Sequence, residues 1–410
     1  MTIAVIGSGV SGLVAAYLLS RKHRVEVFEA DTRPGGHVNT VKVDDPQAGT
    51  VAVDTGFIVH NRPNYPNLTR VFDELGITTQ ASNMSFAVES PEDGFAYQAG
   101  HLLSQRHVMK SAAGLKLISE IVRFLFVGRT DLHRGTVGAV SIAEYARGRG
   151  FSERFIDLYA VPMAAALWSM PPGGAAEIPA EFVLRFFDNH SLLGLRRHRW
   201  RTVTGGARRY VDALIERLPG PVHLGTPISR VRRNTGSVTL TTPAGERSFD
   251  SVVIATHGDQ ALRLLADPDQ LEHDTLGAFR TTPNRATLHF DETLLPPHRS
   301  SWASWNVRAR QENSGPVVTY FMNSLQKLQT ARPYCVTLNS DALINPDKVL
   351  RRIDYRHPVF DTNTIEAQRL VPQLNGRRRT YYCGAYQGWG FHEDGATSAV
   401  RVAEELGVRW

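Results

Sequence analysis

The chain is poor in cysteine, with two in 410 residues, Cys335 and Cys383. Two cannot build a disulfide framework, and they do not sit at the spacing of a metal-binding pair. No metal site is expected. A long apolar run is also missing: nothing approaches the roughly 18 consecutive apolar residues of a spanning helix. Repeats and low-complexity segments are absent, which excludes solenoids and biased tails. No basic stripe interleaves with stacking aromatics, so nucleic acid is not an expected partner. The first strand pattern opens at Thr2 without an apolar leader before it. The expected location is therefore the cytoplasm, with peripheral contact at the inner face of an anionic membrane left open.

What is present is the composition of a globular protein, 42% hydrophobic and 21% charged. This length predicts two domains, or one large composite one, with a sizeable core. The net charge of +6 suits an anionic surface or substrate, and equally an arginine-rich chain with no such partner.

The most informative stretch runs from Thr2 to Ala30. A β-rich apolar run, Ile3 to Ile6, stops at Gly7-Ser-Gly9-Val10-Ser11-Gly12. A helical run follows, and then a second strand, Val25 to Phe28, ending on Glu29. Gly7 permits the tight turn, Gly9 lets the backbone approach a pyrophosphate, and Gly12 lets the helix lie close on the sheet. The helix start offers free N–H groups and partial positive charge to phosphates. Glu29, 22 positions after Gly7, can bind ribose hydroxyls and favours a ribose without a 2′-phosphate. The cofactor is expected to be a dinucleotide.

Arg33-Pro-Gly35-Gly36-His37 follows, then Val51-Ala-Val-Asp54-Thr55-Gly56-Phe57-Ile58-Val59, which alternates like a strand. Far downstream, Thr202-Val-Thr-Gly205-Gly206 reads as a strand and turn before a helix. Ile228 to Arg232, around Val231, and Phe249 to Thr256, ending on Ala255 and Thr256, read as strands. The C-terminal block contains Cys383-Gly384-Ala385 and His392-Glu393-Asp394-Gly395-Ala396, leading into a helix.

This succession resembles the flavoprotein superfamily of amine oxidases, protoporphyrinogen oxidase and phytoene-type desaturases. The resemblance implies an α/β fold: a Rossmann-like, three-layer ββα FAD-binding domain beside a discontinuous substrate domain of mixed sheet and helices. It assigns 1–59, 200–258 and 374–410 to the first. The second takes 60–199 and 259–373, with 101–199 mostly helical. FAD is then expected, held without a covalent link, at the residues named from Gly7 to Ile58, at Gly205, Gly206, Val231, Ala255 and Thr256, and from Gly384 to Ala396. Where family members carry Gly-Asp, this chain has Gly384-Ala385, and Asp394 or a water is expected to substitute for that acid. Counting back from Gly395 puts His392 at an aromatic position beside the substrate. A strand position near flavin N5 that often carries lysine falls on Arg285.

At finer grain, Trp302-Ala-Ser-Trp-Asn306, Tyr320-Phe-Met-Asn-Ser-Leu-Gln326, Tyr355-Arg-His-Pro358 and Gly390-Phe-His-Glu-Asp-Gly395 are similar to a bacterial branch of FAD proteins. Its members are often encoded beside enzymes resembling cyclopropane-fatty-acyl-phospholipid synthases, which implies lipid acyl chains as substrate. The expected reaction is hydride transfer from an apolar acyl chain to flavin N5. The alternatives are an oxidase of small amines, a flavin-dependent double-bond isomerase, and an FAD-containing lipid-binding protein.

Two stretches bear on membranes. Leu115, Ile118, Ile121, Val122 and Leu125 recur at helical spacing among Lys110, Lys116, Arg123 and Arg129. Arg196-Arg-His-Arg-Trp-Arg201 adds a basic, aromatic cluster. Either could dock on anionic lipid, or the apolar faces could pack inside.

Overall fold

The structure is a computed structural model and describes residues 1–92, 94–99, 111–169, 174–194, 198–309 and 316–410. The helical pattern expected between His101 and Lys110, and Arg196 and Arg197 of the basic cluster, lie outside these residues.

A five-stranded parallel sheet gathers segments far apart in the chain. Its order is Val222–His223, Arg24–Phe28, Thr2–Ile6, Ser251–Ile254 and Thr380–Tyr382. Ile3 to Ile6 run in register with Ser251 to Ile254, and all eight side chains are at least nine-tenths buried. Strands covered on both faces read as continuous apolar runs, which is why Val252-Val-Ile254 does not alternate. On one face pack the helices Val10–Leu19, Arg208–Arg217 and His392–Glu405, together with Pro66–Leu75. On the other lies a small antiparallel sheet, Arg230–Arg233, Val238–Thr242 and Gly245–Phe249. Phe249 thus belongs to this sheet and not to the buried parallel strand after it.

The second part is a seven-stranded mixed sheet. Its order is Val349–Pro358, Thr281–His289, Cys335–Leu338, Val317–Phe321, Trp305–Arg308, Phe86–Ser90 and Phe95–Ala99. It shares one apolar core with the helices Ala112–Arg134, Ile142–Gly148, Val161–Trp168 and Ala180–Asn189. Ser141 and Glu144 close a reciprocal cap on the second of these.

Three details depart from the sequence reading. The strand Gly49–Asp54 ends before Thr55, and residues 55–59 are irregular. The helices Pro66–Leu75, Gly258–Leu264 and Gln270–Gly277 pack in the cores of the dinucleotide side, although the sequence division put them in the substrate domain. In Ala112–Arg134 the inward residues are Leu117, Ile121, Phe124 and Gly128, while Leu115 and Val122 face out. Among the described residues no helix is long and apolar enough to cross a membrane.

Candidate active site

One cavity of about 700 Å³ runs from the carboxyl ends of the parallel strands to the inner face of the seven-stranded sheet. Its first end is built by the glycine-rich turn. Gly7 adopts φ 102°, open to glycine without strain. A Cβ on Gly12 would lie 1.9 Å from the Gly7 carbonyl oxygen, so only glycine fits where helix meets strand. A Cβ on Gly9 would meet nothing within 4 Å, because the wall recedes there. The helix Val10–Leu19 starts without a side-chain cap and without an acid in its first turn. Val10 and Ser11 stand in the wall, so the free N–H groups of that turn form an anion site.

Glu29 also stands in the wall. Its Oε2 accepts hydrogen bonds from the Ser8 backbone N–H (2.8 Å) and hydroxyl (2.5 Å), and its Oε1 accepts from the Asp31 N–H (2.9 Å). These donors fix the carboxylate where a ribose would present hydroxyls. Ala30, Pro227, Ile228, Thr256, Gln260 and Arg263 continue this end.

The other end carries aromatic and imidazole groups. His37 stacks on Tyr355, centroids 4.9 Å apart, and lies 5.1 Å from His357 and 6.0 Å from His257. Desolvation, then the neighbouring imidazoles of His357, His257 and His392, push His37 well below the usual histidine range. Desolvation takes His357 down to about 4 and His392 to about 3. His392 lies flat on Phe57, centroids 3.9 Å apart, and its Nε2 is shielded from water without a partner. The Nε2 of His37 is likewise uncommitted. Beyond these lie Ile58, Val59, Ala166, Leu167, Trp168, Phe186, Trp200, Trp305, Leu338, Phe360 and Phe391, with Ser169 and Tyr320 as polar handles. The Tyr320 hydroxyl is 3.0 Å from both the Ser169 hydroxyl and the Ala166 carbonyl.

Of the residues expected from sequence, the wall contains Gly7, Gly9, Val10, Ser11, Glu29, Ala30, Gly36, His37, Thr55, Gly56, Phe57, Ile58, Ala255, Thr256, Gly384, Ala385 and His392. Others do different work. Gly12 packs helix against strand. Arg33 donates to the Gly36 and Val38 carbonyls, and Gly35, at φ 110°, turns the same loop. Gly205 and Gly206 turn the chain into the helix Arg208–Arg217, where Asp54 accepts from the Ala207 N–H. Val231 is buried in the small sheet, and Ile228, three residues earlier, reaches the cavity instead.

Glu393 accepts from the N–H groups of Asn67 and Leu68 and so caps Pro66–Leu75. Asp394 accepts from the Phe391 N–H and caps its own helix, so it does not replace the acid absent at Ala385. Gly395 is pressed against Val10 and Ser11, and Ala396 is buried. Arg285 is on the far side of the sheet, paired with Asp354 at 2.7 Å. Cys383 is buried outside the wall, and burial pushes its thiol up.

Sequence reading missed Ser8, His257, Tyr355 and His357. Tyr355 and His357 are two apart on one strand and therefore share a face. That i, i+2 pair inside Tyr355-Arg-His-Pro358 was the available signal.

A glycine-turn anion site joined to an apolar chamber across a sheet boundary defines a dinucleotide-dependent enzyme with a separate substrate wall. The chain belongs to the flavin containing amine oxidoreductase family, whose model matches residues 10–322. Its fold is shared by a CLA-producing fatty acid isomerase from P. acnes (16% identity, 99% of this chain and 97% of that one, TM-score 0.69). It is also shared by a putrescine oxidase bound to putrescine (14%, 100% and 100%, 0.71). A third is a cyclohexylamine oxidase from Brevibacterium oxydans (15%, 99% and 99%, 0.66). The protein is an FAD-dependent oxidoreductase. The cavity suits that cofactor: the wall recedes at Gly9, the first helix is uncapped, and two shielded imidazole nitrogens await partners.

Proposed function

We propose that this oxidoreductase acts on an apolar, acyl-chain substrate and introduces a carbon–carbon double bond. The observation that carries the reading is the charge of the wall. Among the described residues its only carboxylate is Glu29, which Ser8 holds at the dinucleotide end. The chamber beyond His37 is hydrocarbon, indole and neutral imidazole, with the Ser169 and Tyr320 hydroxyls as its uncharged polar groups. A cationic amine there would give up its hydration without a counter-charge, which costs several kcal/mol. An alkyl chain gains about 0.8 kcal/mol for each methylene buried.

Glu29, Ser8 and the first turn of Val10–Leu19 would hold the adenosine and pyrophosphate parts of FAD. His37, Thr55, Phe57 and His392 would flank its middle and ring. Bound FAD supplies a two-electron acceptor that takes a hydride. The protein's task is to hold a C–H bond still in a dry chamber and to handle the proton lost from the adjacent carbon. Trp168, Phe186, Trp305 and Phe360 exclude water. Nε2 of His392 is one of two imidazole nitrogens in the wall without a partner; desolvation keeps that ring neutral, and in the tautomer that leaves Nε2 bare it would take this proton.

The test is anaerobic mixing of holoprotein with phospholipids carrying mono-unsaturated or methyl-branched chains, and separately with small amines. Bleaching of the visible flavin band by lipid and not by amine supports the reading. Bleaching by amine alone overturns it. Double-bond migration without an electron acceptor would replace it with isomerisation, and lipid binding that no donor accompanies with bleaching would replace it with a binding role.

A further inference from the structure

Three of the seven large apolar side chains exposed among the described residues lie on one helix, Ala112–Arg134: Leu115, Val122 and Phe126, the last 65% exposed. Their spacing of seven and four puts them in a single stripe about 16 Å long at 1.5 Å per residue. The helix has a separate apolar face for the core, with Leu117, Ile121 and Phe124 packed and Gly128 against Leu184. The outer stripe is therefore not part of the fold's packing.

The charges of this helix are sorted in the same way. Both of its acids turn inward. Glu120 accepts from the Ser152 N–H and hydroxyl, and Asp131 accepts from the Tyr145 hydroxyl and pairs with Arg149. Its basic residues Lys116, Arg123, Arg129 and Arg134 are all exposed. Arg123 leans over Phe151 and donates to the Arg149 and Gly150 carbonyls while keeping its charge at the surface, and Arg129 lies 3.5 Å from Asp188. An apolar stripe bordered by cations, with the anions withdrawn, is complementary to a surface that is itself apolar within and anionic at its rim.

We propose that this face of Ala112–Arg134 docks on an anionic lipid bilayer, with Leu115, Val122 and Phe126 entering the acyl boundary and Lys116 and Arg123 among the phosphates. The helix lies on the surface and does not cross it. Its neighbour Ala180–Asn189, packed on the opposite, inner face, supplies Phe186 to the cavity wall. The inference stands on the exposed face alone and does not depend on what the flavin oxidises.

The experiment is vesicle flotation of holoprotein with phosphatidylcholine alone and with phosphatidylglycerol added, at low and high salt. Flotation with the anionic vesicles that weakens with salt is expected. The triple variant Leu115→Ser, Val122→Ser, Phe126→Ser should lower the partition about tenfold or more, with flavin absorbance and melting temperature kept. Lys116→Glu should weaken binding to anionic vesicles only. Failure of the parent protein to float overturns the proposal, as does equal flotation of the triple variant. So does sedimentation of the parent as a dimer that the triple variant dissociates, since the face would then meet a second copy. Loss of flotation with unchanged flavin bleaching by detergent-dispersed lipid separates this proposal from the reading of the reaction.

Discussion

Asn284 and Arg285 are consecutive on the strand Thr281–His289 and face opposite sides of the seven-stranded sheet. The Asn284 side chain is buried, with its amide nitrogen on the Ser169 carbonyl and 3.0 Å from His357 Nδ1. Arg285 turns outward to Asp354 and Asp341. Asn284 thereby holds His357, a wall residue, in place. Asn284→Ala removes two hydrogen bonds, one to the Ser169 carbonyl and one to His357, which keep only their bond to each other, and should cost about 1–3 kcal/mol. Arg285→Ala removes a solvent-screened surface ion pair and should leave stability close to that of the parent. Chemical denaturation of both variants, with the rate of flavin reduction beside it, checks the contrast. Only the asparagine variant should lose rate.

This pair also marks how far the sequence could be read. The dinucleotide end was legible because glycine spacing, a following helix and Glu29 act within 30 consecutive residues, where the backbone sets the geometry. The substrate wall was not, because its side chains come from helices, loops and strands that only long-range packing and strand register bring together. A register error of one residue moves every side chain to the other face, and Arg285, picked from an approximate register, lies on the face away from the cavity. Glu393 and Asp394 were misread for a related reason. Their position at a helix start was right, but whether such an acid meets a ligand or caps a helix depends on what tertiary packing brings to it.

The two glycines of the turn should fail in different ways. Gly12→Ala forces a Cβ to 1.9 Å from the Gly7 carbonyl oxygen, so strand and helix must separate. A loss of stability of about 1–3 kcal/mol is expected whether or not cofactor is present. Gly9→Ala has free space and should leave the melting temperature of cofactor-free protein unchanged, while its methyl group occupies the recess meant for the pyrophosphate. Titration with FAD, followed by the return of visible absorbance, should show weakened binding in Gly9→Ala with an otherwise normal fold.

Acid should destabilise the fold through buried histidines that do not line the cavity. His60, His190 and His289 are buried, and desolvation holds each down to about 4. Unfolded, each would take its proton near the ordinary value of about 6.5, so the unfolded chain binds protons first as pH falls. Their contribution is complete above about pH 6.5 and is lost progressively down to about pH 4, by about 3 kcal/mol each. Asp54, raised to about 7 by burial, works in the opposite sense over the same range, since the folded state keeps its proton there. The clean measurement is therefore a difference. His289→Gln should flatten the slope of stability against pH between about 6.5 and 4 relative to the parent. An unchanged slope would mean that this imidazole is already charged in the fold.

The chamber's length should be set by its hydrocarbon wall, and Leu338 tests this. The residue ends the strand Cys335–Leu338, is 7% exposed, and lines the cavity beside Trp305 and Tyr320 in the same sheet. Leu338→Ala removes three carbons from the wall without adding a polar atom. The extra space should favour longer or branched chains, each added methylene contributing up to about 0.8 kcal/mol of binding until the space is filled. Leu338→Phe should do the reverse, with short chains least affected. The comparison is the rate of anaerobic flavin reduction across a series of acyl chain lengths. An optimum that moves in opposite directions in the two variants means that chain length is read at this wall. Parallel losses at every length would mean that the substrate ends short of Leu338, and the selecting residues would then be sought nearer Phe57 and His392.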